Sequence, residues 1–429
     1  MLVAYISAGD DIAPATSPSS ELVTKDGRSL KRALAASQGR QKRRALFLVL
    51  PLLLFIVVAF VMPIGQLLIR SVHNDAFSAN MPGLKAWFEE NPVSPPDEAA
   101  YAALVMDLRQ AKINKTAALV GTRANYDLSG TRSLFTAAAR RADDLGPPYR
   151  QAMLDLDTRW GDPALWQVMR GASSPYTANF YLAAIDMTRD DAGRIVRVEE
   201  DRRIYVSHFV KTFVFSAVIT LICLILGYPV AHLLATLPIG KSNLLMILVL
   251  LPFWTSLLVR TTSWMVLLQE QGVVNSTLVA AGVIDDSNRL PLIYNETGTL
   301  IAMVHILLPF MILPLYSVMR PIKPHYVRAA RSLGASSWTA FRQVYLPQTL
   351  PGMGAGALLV FILGVGYYIT PALVGGASGQ MISNLIAYHM QESLNWSMAA
   401  ALAAILLVAV LLLYWLYDRL VGIDNLKLG

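Results

Sequence analysis

Six long apolar runs constrain this chain more than any other feature of its sequence, because each is close to the length that crosses a bilayer. A hydrocarbon core of ~30 Å needs about 20 consecutive apolar residues in a helix. The runs lie at 45–69, 209–235, 243–268, 298–319, 350–374 and 398–417. The composition agrees, since 55% of the 429 residues are hydrophobic and only 15% are charged. The sequence therefore predicts an all-α polytopic membrane protein with six transmembrane helices.

The charges beside these runs predict how the helices are oriented. A basic cluster, Arg40–Arg44, precedes the first run, whose 25 residues exceed the length of a cleavable signal core. The loop at 320–348 carries five Lys and Arg and no Asp or Glu, whereas the loop at 269–297 carries four acidic residues against Arg289. Because Lys and Arg beside spans favour the cytoplasmic side, both chain termini are expected in the cytoplasm.

A long polar segment separates the first run from the second. Residues 71–206 hold 16 Lys and Arg against 18 Asp and Glu, with no bilayer-length apolar run. Apolar residues recur every three to four positions at 97–120 and 148–171, which is typical of amphipathic helices. We expect a mostly helical periplasmic insertion, serving either as a spacer or as a docking surface for an external partner. The expected divisions are a cytoplasmic tail, a first span, the insertion, a core of five spans and a second tail, at 1–44, 45–70, 71–206, 207–420 and 421–429.

The loop at 320–348 contains the stretch "RAARSLGASSWTAFRQVYLP", which has helix signals of its own. Pro324 suits a first helical turn and Gly334 suits a left-handed C-cap, so one short helix is predicted between them. A second helix is expected to begin at Ser336 or Ser337 and to stop at Pro347. Its aromatic residues should share one face; they are Trp338, Phe341 and Tyr345. On these signals alone, the pair is either a docking element or an interfacial amphipathic segment at the headgroups.

The spacing inside this stretch resembles the cytoplasmic loop signature of binding-protein-dependent ABC importer permeases. The matching positions are Ala329, Ala330, Gly334, Val344, Leu346 and Pro347. In that family the loop couples the permease to a cytoplasmic ATPase through a helix-in-groove contact. The first motif position, usually Glu in the family, is Arg328 here. That change leaves the backbone geometry intact and puts in doubt any salt bridge made by the usual carboxylate.

Other segments narrow the resemblance to spermidine/putrescine-type permeases. They are "GYPVAHLLA" at 227–235, "LPFWTSLLVRTTSWMVLLQEQGVVNSTL" at 251–278, "YYITPALVGG" at 367–376 and "MISNLIAYHMQESLNWSMAAALAAIL" at 381–406. Segments 1–44 and 71–200 match no part of that family that we recognise. The resemblance implies the six-helix type I ABC importer permease fold with an inserted domain.

The resemblance also implies a function and a set of partners. The chain would be a non-catalytic transport subunit of the bacterial inner membrane, working with two ATPase subunits, a second permease and a periplasmic solute-binding protein. It would hold no cofactor itself, with ATP and Mg bound by the ATPases. The substrate would be a polyamine or related organic cation, although relatives can carry amino-acid derivatives or opines. Rival classes are a secondary transporter driven by an ion gradient and a membrane-anchored receptor that works through its insertion.

Five residues are candidates for a translocation pathway. Arg260 lies near the middle of the third run, where a charge costs ~2.5–3.5 kcal/mol, so it should face a cavity or a partner helix. A structural arginine bound to backbone carbonyls is the alternative. The aromatic candidates, which could line a route for cations or simply pack, are Trp254, Trp264, Tyr367 and Tyr368.

Several other residues are given structural interpretations. His232 and His305 are isolated in apolar runs and are expected to be hydrogen-bonded packing residues, with no metal site predicted. Cys223 is expected to pack inside a span. The segment "ATLPIGKS" at 235–242 has P-loop spacing except for its first glycine, but it follows a membrane helix. A P-loop needs a strand-to-helix turn, so this segment is predicted to be a short cytoplasmic turn.

Overall fold

The computed structural model describes residues 30–190 and 194–421, most of which are helical. In chain order the α-helices are α1 Leu30–Ile56, α2 Met62–Arg70, α3 Pro82–Glu90, α4 Glu98–Ile113, α5 Ala117–Asn125, α6 Thr131–Arg141, α7 Tyr149–Leu156, α8 Pro163–Ser173, α9 Asn179–Ala184, α10 Tyr205–Thr236, α11 Ile239–Leu250, α12 Leu257–Leu268, α13 Val273–Ala280, α14 Glu296–Met319, α15 His325–Ser332, α16 Ser337–Ala340, α17 Leu346–Gly366, α18 Ile369–Val374, α19 Ile382–Gln391 and α20 Trp396–Val421. The strands β1 Met187–Arg189 and β2 Ile195–Arg197 pair antiparallel. Of the tails predicted at 1–44 and 421–429, residues 1–29 and 422–429 lie outside the described residues, and α1 already begins at Leu30, inside the first of them.

Within the described part of the chain, five helical stretches are long and apolar enough to cross a membrane. They are Arg44–Arg70, Tyr205–Thr236, Glu296–Met319, Ser337–Gly366 and Trp396–Arg419. The first is α1 joined to α2 through the π-helical turn Val57–Val61. A bent helix pair accounts for a sixth stretch. The expectation of an all-α polytopic membrane protein is confirmed.

The sixth stretch corrects the sequence prediction, because the run at 243–268 is not one continuous helix. α11 gives way to the 3₁₀ turn Leu251–Trp254, and α12 starts afresh at Leu257. Pro252 cannot donate a backbone hydrogen bond, and the Ser256 hydroxyl accepts from Val259 N at 3.2 Å, capping the new helix. The two halves are bent by 95°. Hydropathy alone cannot detect this break, because the residues on both sides of it are apolar.

The run at 350–374 is also interrupted. α17 ends at Gly366, and Tyr367 has extended backbone angles before α18 begins at Ile369. The backbone carbonyls that lose their helical partners at the break accept hydrogen bonds from side chains in the first turn of α19. The Ser383 hydroxyl donates to Tyr367 O at 2.5 Å, and the Asn384 amide donates to Tyr368 O at 2.8 Å. These bonds satisfy backbone groups that a membrane interior would otherwise leave unpaired.

The centre of the helical core is built by α10, α14 and α17. Its fully buried side chains are mostly aliphatic or sulfur-containing, among them Ile219, Cys223, Met303, Leu307, Met311, Leu315 and Val360. Small residues bring these helices close together. A Cβ added to Gly356 would lie 2.8 Å from the Met311 sulfur, and one added to Gly352 would lie 2.9 Å from Val318 Cβ. Cys223 packs in this core, as its position in the run predicts.

The insertion between α2 and α10 is helical, as its periodicity predicts, with α3 to α9 and the β1–β2 hairpin. It has an aromatic core of its own that includes Phe77, Tyr101, Phe135, Trp160 and Trp166. The buried Asp107 carboxylate on α4 accepts from Gly83 N at 3.1 Å and Leu84 N at 2.7 Å, so it caps the start of α3. Burial raises the pKa of Asp107, and these two hydrogen bonds partly oppose the shift.

The insertion is attached to three helices of the core, α10, α19 and α20. The Asp186 carboxylate accepts from three backbone N–H groups at the start of α10, the shortest of them Val206 N at 2.8 Å. The Asn74 amide donates to the Ser397 hydroxyl at the start of α20, at 3.1 Å. Phe180 and Ala184 of α9 share a buried cluster with residues of α10, α19 and α20: Phe209, Ile382, Met398, Ala401 and Leu402.

Candidate functional site

A group of polar and aromatic side chains lies where the two helix breaks meet. Here α12, which follows the first break, packs against α18, which follows the second, and both contact α14. The Thr261 and Thr370 hydroxyls, both fully buried, are 3.3 Å apart across the first of these contacts. In membrane transporters, discontinuous helices whose ends line a cavity mark binding or passage sites. This junction is therefore the strongest candidate for a pathway in the described residues.

Arg260 stands in the first turns of α12. One terminal nitrogen of its guanidinium donates to Thr255 O at 3.1 Å, across the break. Its Nε is buried and has no hydrogen-bond partner among the described residues. The guanidinium also lies within electrostatic range of His305 and Tyr367. Arg260 thus keeps a buried donor beside the junction that is unpaired among the described residues.

Trp264 lies one turn further along α12 and contacts α14. Its indole N–H donates to His305 Nδ1 at 3.0 Å, and the two rings meet edge to face at 5.2 Å. His305 is hydrogen-bonded, as the sequence predicts, but its partner places it beside Arg260 and Trp264 in the pathway group. We call Arg260, Trp264, His305 and Tyr367 the pathway cluster. No spacing rule could reveal the link to His305, because 41 residues separate it from Trp264.

The other two aromatic candidates are placed differently. Trp254 is 77% exposed, in the 3₁₀ turn before the break. Tyr368 is exposed, and its carbonyl rather than its ring makes the described hydrogen bond, to Asn384. The structure therefore brings together three of the five predicted pathway residues, Arg260, Trp264 and Tyr367. The exposed ring of Trp254 has no described contact with them.

A second candidate site is the helical turn at 324–347, which we call the elbow. Its first helix, α15, begins after Pro324, and Gly334 adopts a φ of +93°, the left-handed conformation that the sequence predicts. The Ser336 hydroxyl then accepts from Thr339 N at 3.1 Å and caps α16. Of the two predicted cap positions, Ser336 is the one used.

The second helix of the elbow does not stop at Pro347 as expected. A π-helical turn, Phe341–Tyr345, follows α16 and leads without interruption into α17. Pro347 is the second residue of α17, and because it has no N–H it makes no backbone hydrogen bond to the turn before it. The shift to i→i+5 bonding just before the proline removes the clash that a regular helix would suffer. The elbow is thus continuous with a membrane-crossing helix.

The aromatic residues of the elbow form the predicted row. Trp338 stacks on Phe341 with ring centroids 5.7 Å apart, and Phe341 stacks on Tyr345 at 5.9 Å. The row ends against α10, where the Tyr345 hydroxyl and His232 Nδ1 lie 3.0 Å apart. The Tyr228 hydroxyl lies 3.2 Å from that of Thr349 one turn away. His232 is therefore a hydrogen-bonded residue, as predicted, and it joins the elbow to α10.

Most of the motif residues in the elbow are exposed. Arg328, Ala329, Gly334 and Pro347 are exposed, while Ala330, Val344 and Leu346 are half-buried. Leu333 is 89% exposed and Trp338 is 67% exposed. Two large exposed apolar side chains in this turn fit a surface that another protein or the membrane interface covers.

Two further sequence features can be placed. In the segment at 235–242 only Leu237 and Pro238 are non-helical, and they join α10 directly to α11, so a helix rather than a strand leads into the turn. Within the described ranges, no group of three or more His, Cys, Asp or Glu side chains lies close enough to hold a metal ion.

Comparison with known proteins gives consistent results. Residues 204–422 match the family model described as "Binding-protein-dependent transport system inner membrane component". The spermidine/putrescine transport system permease protein PotB of Escherichia coli is 35% identical over 246 residues, which cover 55% of this chain and 89% of that protein. PotB of Haemophilus influenzae is 37% identical over 212 residues, covering 49% of this chain and 73% of that protein. Residues 71–203 lie outside the family match.

Solved structures give a weaker likeness. The crystal structure of a bacterial alginate ABC transporter in complex with an alginate pentasaccharide-bound periplasmic protein aligns at a TM-score of 0.46 and 17% identity, covering 53% of this chain and 81% of that chain.

Proposed function

The chain belongs to the family of binding-protein-dependent transport system inner membrane components, and from this premise we propose that it is a transmembrane permease subunit of an ATP-driven importer. It does no bond-making chemistry in this proposal. ATP and Mg are bound by partner ATPases, and the chain provides the path through the membrane. The observation that carries the proposal is the exposed elbow, which is continuous with the membrane-crossing helix α17.

The elbow supplies the mechanical link. When two ATPase subunits close on ATP, they would push on the exposed tip of the elbow, which is formed by Leu333, Gly334 and Trp338. α17 would move with it because the π-helical turn joins them without a break. The His232–Tyr345 hydrogen bond would carry the motion to α10. The spans would then rock between outward-open and inward-open states, a rigid-body change around a central path.

The pathway cluster is the proposed route for the solute. The two relatives described above are both named as spermidine/putrescine permeases, which supports a polyamine or a related organic cation as substrate. Trp264 and Tyr367 offer aromatic faces to such a cation. Arg260 repels it, so we assign Arg260 to orienting the helices at the break or gating the path rather than to direct binding. Amino-acid derivatives and opines are the alternative solutes.

The remaining partners follow from the family. A second permease would complete the path, and a periplasmic binding protein would deliver the solute. We place both termini and the elbow in the cytoplasm and the insertion on the opposite side, because five basic and no acidic residues lie at 320–348. The chain is then a multi-pass protein of the inner membrane.

Co-purification tests the proposal. The chain is expressed with the ATPase, second permease and binding protein of its own transport system, and the ATPase retained after detergent extraction is measured. Wild-type chain is expected to retain it. Deletion of 328–346 is expected to abolish retention, and Gly334→Asp to reduce it severely, because an L-residue is strained at φ +93°. Normal ATPase retention by the deletion variant would rule the proposal out. A chain with Trp254→Leu, a change far from the elbow, serves as the control.

A further inference from the structure

The elbow has two chemically different faces. Val327 and Ala330 of α15 are half-buried, and Val327 packs against the cluster around Tyr345. Arg328 and Arg331 each follow one of these positions, so they lie three residues apart on one exposed side of the helix. The buried face fixes α15 on the protein, and the basic face is left open.

The side chains of these two arginines have no hydrogen-bond or ion-pair partner among the residues that the structure describes. The loop at 320–348 contains no Asp or Glu, and no described hydrogen bond or ion pair involves either side chain. Arginine binds carboxylates with paired N–H groups in a fixed fork, and it does so best where water is excluded. Leu333 at 89% exposure and Trp338 at 67% exposure flank this face. The elbow therefore presents two adjacent cations beside an uncovered apolar tip.

A membrane surface fits the apolar tip of the elbow less well than a protein does. The span Ser337–Gly366 has 30 residues, which is about 45 Å of helix at ~1.5 Å per residue. The hydrocarbon core takes up ~30 Å, and the headgroups add roughly 5–8 Å on each side. If Gly366 lies at the far edge of the hydrocarbon, Ser337 and Trp338 at the tip of the elbow stand beyond the headgroups. Any deeper position of Gly366 pushes this tip further out.

Resting on the proposed function, we infer that the ATPase groove that receives this elbow is acidic, with carboxylates facing Arg328 and Arg331 and an apolar pocket for Leu333. The charge of the elbow then selects which ATPase this permease accepts. An ATPase whose groove is basic at that point would be rejected by like-charge repulsion.

The test measures ATPase binding to the assembled permease in nanodiscs of phosphatidylcholine, with NaCl raised stepwise. The double variant Arg328→Glu/Arg331→Glu is expected to weaken the apparent Kd for the ATPase at least about tenfold at low salt. Arg328→Lys/Arg331→Lys is expected to stay within about threefold of wild type, because the charge is kept. Lys241→Glu/Lys323→Glu makes the same change in total charge at exposed positions off this face and is expected to have little effect.

The following results decide the inference. Exchange of a groove carboxylate of the ATPase for Arg should restore binding of the Glu/Glu variant, which also shows that this variant is folded. Equal ATPase binding by the Glu/Glu variant and the wild type would overturn the inference, as would a charge effect seen only with anionic lipid in the nanodisc. If deletion of 328–346 removes binding while charge reversal does not, the acidic groove is wrong and the proposed function stands. If the deletion leaves binding intact, the proposed function itself fails.

Discussion

Among single residues, Arg260 is the most unusual, because it is a charged residue inside an apolar run. Its guanidinium bridges the break between α11 and α12 through Thr255 O, yet its buried Nε has no partner in the described chain. A charge inside an apolar run is costly and typically marks a path, a partner or a gate. The bond to Thr255 O also fits the alternative of a structural arginine bound to a backbone carbonyl. The sequence indicates the importance of Arg260 from its place in an apolar run. It does not indicate the neighbours Trp264 and His305, because contacts between helices are set by packing.

Replacement of Arg260 tests the pathway cluster. Arg260→Leu removes a charged hydrogen bond worth about 1.5–3 kcal/mol, so ATP-driven solute uptake is expected to fall about tenfold or more. Arg260→Lys should recover only part of the rate, because a lysine cannot replace Nε and the terminal nitrogens together. Uptake into proteoliposomes is the measurement, with ATPase retention as the check on assembly. Trp254→Leu is the matched control, and unchanged uptake by Arg260→Leu would remove the cluster from the pathway.

At the scale of the elements, the elbow carries the proposed coupling to the ATPase, and the two helix breaks carry the proposed solute path. The left-handed glycine, the serine cap and the aromatic row of the elbow follow from local rules, and the sequence predicts all three correctly. The break at 251–256 and the π-helical turn at 341–345 are not predictable in the same way. Both lie in segments whose apolar or helical pattern continues unchanged, and backbone bonding alone distinguishes them. The local hints are Pro252 and the capping residue Ser256 at the break, and Pro347 after the π-helical turn.

The contact between Tyr345 and His232 leads us to a prediction about how the elbow as a whole is coupled to α10. His232→Phe and Tyr345→Phe each remove the 3.0 Å hydrogen bond between the elbow and α10. A bond of about 0.5–1.5 kcal/mol corresponds to a loss of roughly threefold to tenfold in the stimulation of ATP hydrolysis by loaded binding protein. ATPase retention should be unchanged, because the docking face is intact. The double variant should be no worse than either single variant.

A matched histidine provides the control for this prediction. His208 lies at the other end of α10, and its described hydrogen bond is to Ile204 O in the preceding turn. His208→Phe is expected to leave the stimulation near the wild-type level. If the double variant loses the sum of the two single effects, the rings act independently, and the elbow is not coupled to α10 through this bond.

At the scale of the whole molecule, residues 204–422 form the shared transport core, and the insertion is an addition to it. The insertion is not a loose tether. Asp186 caps the start of α10, Asn74 binds Ser397 at the start of α20, and Phe180 packs among α10, α19 and α20. A protein that bound the insertion would therefore be linked directly to α10, α19 and α20. That attachment favours a docking surface over a spacer, and it could not be read from the sequence, since helical periodicity is the same for both.

ATP-driven uptake by the reconstituted transporter tests the central claim most directly. The chain, its second permease and its ATPases are placed in proteoliposomes, with the binding protein and labelled spermidine on one side and ATP on the other. The account predicts uptake that requires ATP, binding protein and the elbow, so that deletion of 328–346 abolishes it while an imposed ion gradient has no effect. Uptake that proceeds without ATP on an ion gradient, or that survives the deletion, would contradict the account.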